Sequence, residues 1–119
     1  MDNKEFARQL EERTLIFAVR IIKLSAKLPN TTEGKVIRNQ LTKAGTSVGA
    51  NYREANRSRS KADFKSKIKI CESEASETNY WLKIIRFLKW LGEKETDWEY
   101  QESEELLAIF TSISKSLTT

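Results

Sequence analysis

The chain has 119 residues, 39% hydrophobic and 32% charged, the size of one ordinary domain and the composition of a helix-friendly globular protein. One proline and four glycines leave too little punctuation for a many-turned β fold, so the expected class is all-α. Histidine is absent, which removes the commonest general base and the commonest metal ligand together and points away from an enzyme, a metal site or a cofactor.

No apolar run exceeds that of Leu15 to Val19, far short of the roughly 20 residues of a membrane span. The opening Met1-Asp2-Asn3-Lys4-Glu5 lacks the apolar stretch of a signal peptide. A cytoplasmic protein that touches no membrane is therefore expected. The lone Cys71 has no internal disulfide partner and reads as small core packing.

Helical periodicity begins near Lys4 and runs to Leu28, where Pro29 removes a donor and crowds the preceding turn. At about 100° per residue, Leu10, Phe17, Ile21, Leu24 and Leu28 share one face of this helix, an ordinary core stripe. Leu15, Val19, Ile22 and Ala26 fall on nearly the opposite face, with Arg13, Arg20, Lys23 and Lys27 on a flank between. A short chain has little with which to cover a second apolar face, so self-association is the economical reading, against scattered surface aliphatics.

Asn30 and Glu33 have the spacing of a capping box, and a second helix is expected over 31–55. Val36, Ile37, Leu41, Ala44 and Val48 define its inward face, from whose middle Gln40, Ser47 and Asn51 also project. Gly45 and Gly49 stand four residues apart and read as room for close helix packing. The link Asn56-Arg57-Ser58-Arg59 follows, and Ser60 with Asp63 opens a third helix over 61–91, with Gly92 as its stop.

On the third helix Phe64, Ile68, Cys71, Ala75, Leu82 and Ile85 make one stripe; Ile70, Trp81, Ile84 and Leu88 make a second, with Phe87 and Trp90 outside both. Glu74 and Glu77 lie one turn apart on the second stripe, where Gln40, Asn51 or a cation could satisfy them. The five polar residues Gln40, Ser47, Asn51, Glu74 and Glu77 read as an inner network that fixes helix register, or else as a polar site inside the bundle. Thr96 and Glu99 have capping-box spacing for a fourth helix over 97–117. Four helices with short links favour a single up-down-up-down bundle spanning residues 1–119.

Charge is uneven. Arg53, Arg57, Arg59, Lys61, Lys65, Lys67 and Lys69 fall within 17 residues against only Glu54 and Asp63. Phosphate backbones attract such clusters through counterion release, and Arg53, Arg57, Arg59, Lys61, Lys65 and Lys69 are the candidate nucleic-acid contacts; ordinary solvated surface is the alternative. No aromatic base-reading motif accompanies them, so binding with little sequence preference is expected. A carboxylate-bridged di-iron centre of the kind built in bundles uses Glu-x-x-His pairs, which this chain cannot supply.

The ordered set Lys27-Leu28-Pro29, Gln40 to Ala55 (QLTKAGTSVGANYREA), Ser60-Lys61-Ala62-Asp63-Phe64 and Glu74 to Leu82 (EASETNYWL) resembles the bacterial four-helix-bundle family named after proteins encoded in 23S ribosomal RNA intervening sequences. Ala55 stands where many members have glycine. The resemblance implies an antiparallel bundle, a homopentameric ring, no established enzymatic activity and suspected nucleic-acid contact. Related accessory proteins of diversity-generating retroelements are basic pentamers that bind nucleic acid and a reverse transcriptase, which makes a reverse transcriptase a possible partner here. The expected function is a homo-oligomer that binds RNA or DNA, with no small-molecule substrate. The alternative is a structural oligomer or scaffold that presents its surface to a protein partner without nucleic acid.

Overall fold

In the computed structural model, which describes residues 2–117, the chain folds into four helices: α1 (Asn3–Ser25), α2 (Thr32–Ala55), α3 (Lys61–Leu88) and α4 (Glu93–Ser116). Among the described residues there is no strand, and no helix is long and apolar enough to cross a membrane. The molecule measures 44 × 26 × 21 Å.

The helix starts show why each segment begins where it does. Asp2, Thr31 and Ser60 each take an extended backbone and accept a hydrogen bond from the amide three residues on, Glu5, Gly34 and Asp63 respectively. Thr31 rather than Asn30 therefore caps α2. The α4 start lies a full turn before the expected one. Gly92 is its N-cap, and its amide donates to Glu95 Oε1 at 3.0 Å, so Thr96 and Glu99 are buried within the helix instead of opening it.

The helix ends are shorter than periodicity suggested. α1 stops at Ser25, and residues 26–28 close down in three-residue steps, Lys27 N to Leu24 O and Leu28 N to Ser25 O. Arg38 on α2 then donates to the Leu28 carbonyl at 2.9 Å, satisfying an acceptor left open where the helix ends. α3 ends at Leu88, not Leu91, because Lys89 turns left-handed at φ 57°. The Lys89 amide donates to Arg86 O and the Trp90 amide to Ile85 O, the paired bonds of a Schellman stop made with a lysine in the position glycine usually fills.

The core is the expected α1 stripe, Leu10, Phe17, Ile21, Leu24 and Leu28, packed with Leu41 and Val48 of α2, Ile68, Leu82 and Ile85 of α3 and Leu106 and Phe110 of α4. Tyr52 meets the Phe110 ring edge-on, with centroids 5.5 Å apart. Gly45 and Gly49 let α1 approach α2 closely. A Cβ on Gly45 would fall 2.6 Å from Ile21 Cγ2, and one on Gly49 would press on Thr14. Cys71 is buried, its thiol pointing at the Val48 carbonyl at 3.5 Å, and burial pushes its pKa up to about 12, as core packing requires. Val36 departs from the expected inward face: it is half exposed, because α2 turns only Ile37 and Leu41 toward the interior at that end.

Because Lys89 holds a conformation that costs a side-chain-bearing residue energy, Lys89→Gly should stabilise the fold by roughly 0.5–1 kcal/mol, after the extra flexibility glycine gives the unfolded chain. Thermal denaturation checks this; an unchanged or lowered midpoint would show that the Lys89 side chain contributes more than its backbone costs.

Candidate nucleic-acid interface

The α2–α3 corner carries the cationic residues. Arg53, Arg57 and Arg59 are exposed around the end of α2 and the link, and Lys61 and Lys69 are exposed on α3, with Lys65 half-buried between them. Lys61, Lys65 and Lys69 are spaced i, i+4, i+8, which aligns them along one face of α3. Arg57 and Arg59 stand in the link just before them, so that cations run in sequence from the link along the first turns of the helix. Lys67 projects from a different face. Arg53 leans toward Glu11 of α1, 4.0 Å away, and is the least available of the set. Beside the ridge, Asn56, Ser58, Arg59, Ser60, Lys61 and Phe64 line a shallow groove.

The basic flank of α1 is divided by the fold. Arg13 donates to both carboxylate oxygens of Glu102, at 2.7 and 2.8 Å, and to Glu105 at 3.0 Å; these partners hold the guanidinium protonated far above its usual range. Arg20 pairs with Glu99 at 3.1 Å and lies 4.3 Å from the centre of the Trp98 ring. Both are committed to closing α1 on α4, which leaves the exposed Lys23 and Lys27 as the cations of that flank outside these pairs.

The expected inner polar network is corrected. Gln40 and Glu77 are exposed, and Ser47, Asn51 and Glu74 are only half-buried. Ser47 donates to the Lys43 carbonyl and Asn51 to the Ser47 carbonyl, local bonds within α2 that need no partner on α3. Burial, then the neighbouring Glu77 carboxyl, raises the Glu74 pKa, against the opposing pull of Lys43. The stripe is rotated outward because Leu41, Ala44 and Val48 take the interior, and residues offset from them by a third of a turn cannot.

The interior polar residues are others. Asn79 donates to Ser103 Oγ at 2.9 Å, linking α3 to α4 in the core, and the Ser103 hydroxyl donates in turn to the Tyr100 carbonyl. Thr14 and Thr78 are fully buried and return their hydroxyls to carbonyls one turn back, at Leu10 and Glu74. Thr96 accepts from Arg86 Nη1 at 2.9 Å. Their sequence signal was available: Asn79 lies one turn before Leu82 on the core side of α3, and Ser103 one turn before Leu106.

Leu15, Val19, Ile22 and Ala26 are all exposed on the single chain. Leu15 is 62% exposed, a large value for a leucine near the middle of a long helix. Phe87 projects into solvent, whereas Trp90 packs against the core. Among the described residues no three Cys, Asp or Glu side chains converge to hold a metal ion.

These features define an all-α protein with a cationic corner and an uncovered apolar face. The chain belongs to the 23S rRNA-intervening sequence protein family, whose model matches residues 8–112. It is also similar to a crystal structure of a protein of unknown function from the S23 ribosomal protein family of Bacteroides thetaiotaomicron VPI-5482. That match has a TM-score of 0.81 and 36% identity, and covers 88% of this chain and 97% of the other. Comparison with curated proteins finds no match.

The Asn79–Ser103 bond is buried and the Asn51 bond is local and half-buried. Asn79→Ala should therefore cost about 1–2 kcal/mol, whereas Asn51→Ala should cost less than about 0.5 kcal/mol. Urea midpoints of the two variants give the comparison, and equal losses would mean that Asn51 is anchored by more than its own helix.

Proposed function

We propose that the protein is a non-enzymatic, self-associating RNA-binding protein of the cytoplasm that engages phosphate backbones through the α2–α3 corner. The ridge of exposed Arg57, Arg59, Lys61 and Lys69, with half-buried Lys65 among them, carries this reading. Five cations along one edge match a chain of phosphates better than they match a compact anion, and contacts of this kind position a backbone without reading its bases. Family membership supports RNA over other polyanions, since the family takes its name from sequences within a ribosomal RNA.

The bundle reading is up-down-up-down. Across α1 and α2 the pairs Ser25–Thr42 and Glu11–Asn56 support it, and across α3 and α4 the pairs Arg86–Thr96, Asn79–Ser103 and Glu72–Thr111, in which one number rises as the other falls. Self-association follows from the exposed Leu15, Val19 and Ile22, and a homopentameric ring is the assembly the family resemblance implies. A ring would repeat the ridge around its rim, so that weak contacts act together along one strand.

Binding should be steeply salt-dependent. If each of the five ridge cations neutralises one phosphate, the slope of log K against log salt on single-stranded RNA should be about −3.5 per engaged protomer. Exchanging Arg57, Arg59 and Lys61 together for Glu should abolish binding measured by fluorescence anisotropy. The fold should be kept, since acidic residues before and within the first turn of α3 suit its dipole. Retained affinity in that variant would exclude the ridge; no binding by the unaltered protein at low salt would favour a protein partner, a reverse transcriptase among them.

Val19→Lys with Ile22→Lys should convert the assembly to monomer in sedimentation velocity while circular dichroism keeps its helical signal, because both side chains are exposed on the single chain. A collapse of helicity would place them in the bundle core instead.

A further inference from the structure

The exposed apolar face of α1 has a counterpart on the same chain. Leu15, Val19, Ile22 and Ala26 are separated by four, three and four residues. On the outer face of α3, Leu88, Ile84, Trp81 and Glu77 show the same four, three and four in the reverse direction. Leu88 is 52% exposed, and Ile84 and Trp81 are half-buried. Ile84 and Leu88, with Val36, Ile37, Pro29 and Trp90, form the walls of an apolar groove between α2 and α3. At 1.5 Å per residue, both three-residue apolar sets span about 10 Å.

Charge continues the match beyond the apolar residues. Past Ile22, α1 presents the exposed Lys23 and Lys27. Past Trp81, α3 presents Glu77 and then Glu74, two carboxyl side chains one turn apart, with Lys43 acting on Glu74. The neighbouring acid disfavours the charged form of Glu74, and cations brought from outside would relieve it.

We infer that α1 of one protomer lies antiparallel along the outer face of α3 in a second copy, entering the α2–α3 groove at its Ile84 and Leu88 end, with Leu15 over Leu88, Val19 over Ile84, Ile22 over Trp81, and Lys23 and Lys27 against Glu77 and Glu74. The inference rests on the self-association reading and adds the surfaces that meet. Pairing α1 with α1 would cover one apolar face and leave the groove bare, whereas this arrangement covers both. It is head-to-tail: each protomer offers one stripe and one groove, so assembly closes as a ring or extends as a filament. Ala26 falls opposite Glu77, where a small residue leaves space for the carboxylate and the flanking lysines.

Cysteine cross-linking tests the register. Cys71 is sealed in the core and does not compete. Val19→Cys protein mixed with Ile84→Cys protein should oxidise to a species of twice the chain mass, neither variant alone should do so, and the double variant should give a ladder of covalent multimers. Lys23→Glu with Lys27→Glu should raise the concentration of half-dissociation roughly tenfold or more, and adding Glu74→Lys with Glu77→Lys should restore it. A monomeric unaltered protein in sedimentation would end the self-association reading itself. An oligomeric protein in which Val19→Cys cross-links to itself, or in which the charge exchange gives no rescue, would overturn this docking while leaving self-association standing.

Discussion

The close approach of α1 to α2 governs the rest of the molecule. Ile21 sits over Gly45 and Thr14 over Gly49, and at both points a side chain on α2 would force the helices apart. These contacts fix the rotation of α1 about its own axis. Once Ile21 and Thr14 face α2, Phe17 and Leu24 must enter the core, Arg13 and Arg20 must face α4, and Leu15, Val19 and Ile22 must look away from the bundle. The uncovered apolar face is thus a geometric result of the glycine seats.

The seams of the bundle are closed by different means. α1 on α2, α2 on α3 and α3 on α4 pack broadly, whereas α1 and α4 touch little and are joined by Arg13–Glu102, Arg13–Glu105 and Arg20–Glu99. Glu99 and Glu102 are nearly buried while their arginine partners remain over a third exposed on the side chain. Such pairs add little net stability when exposed, but a carboxylate already removed from water is costly to leave alone. Their role is to determine where α4 lies against α1. Family membership and a 36% identical crystal structure of the same fold, over nearly the whole of both chains, put the arrangement in a defined family.

Most of the architecture was legible in the sequence because the core stripes of α1 and α3 repeat at helical spacing over many turns, and Pro29, Ser60 and the polar link punctuate them clearly. The ends were less legible. The stop at Lys89 depends on a left-handed lysine that no residue-type rule anticipates, and the early start of α4 depends on Glu95 reaching back to the Gly92 amide when Thr96 and Glu99 offered the same spacing. The polar stripe of α2 and α3 was misplaced for a related reason. Gln40, Ser47 and Asn51 stand beside inward residues, and a phase error of a third of a turn separates an interior network from a half-exposed one. Asn79 and Ser103 each stand one turn before a core leucine, but nothing in the spacing within either helix links the one to the other. The cationic cluster was legible as composition; that Arg13 and Arg20 are committed to α4 was not, since their acids lie some eighty to ninety positions away.

The one cysteine has a bearing on how motions of this molecule become observable. Cys71 lies behind Val48 on the face of α3 that meets α2, and its proton is held tightly by burial. A thiol in that position reacts only in the moments when α2 and α3 part, because the thiolate is the reactive form and needs both solvent and access. Its rate of alkylation is then a clock for the opening of the central seam, built into the native sequence and silent about the fraying of helix ends. The groove between α2 and α3 lies farther along the same pair of helices, so anything that holds them together there would slow the clock, and the chemistry of one sulfur atom becomes a gauge of how tightly the molecule is held shut.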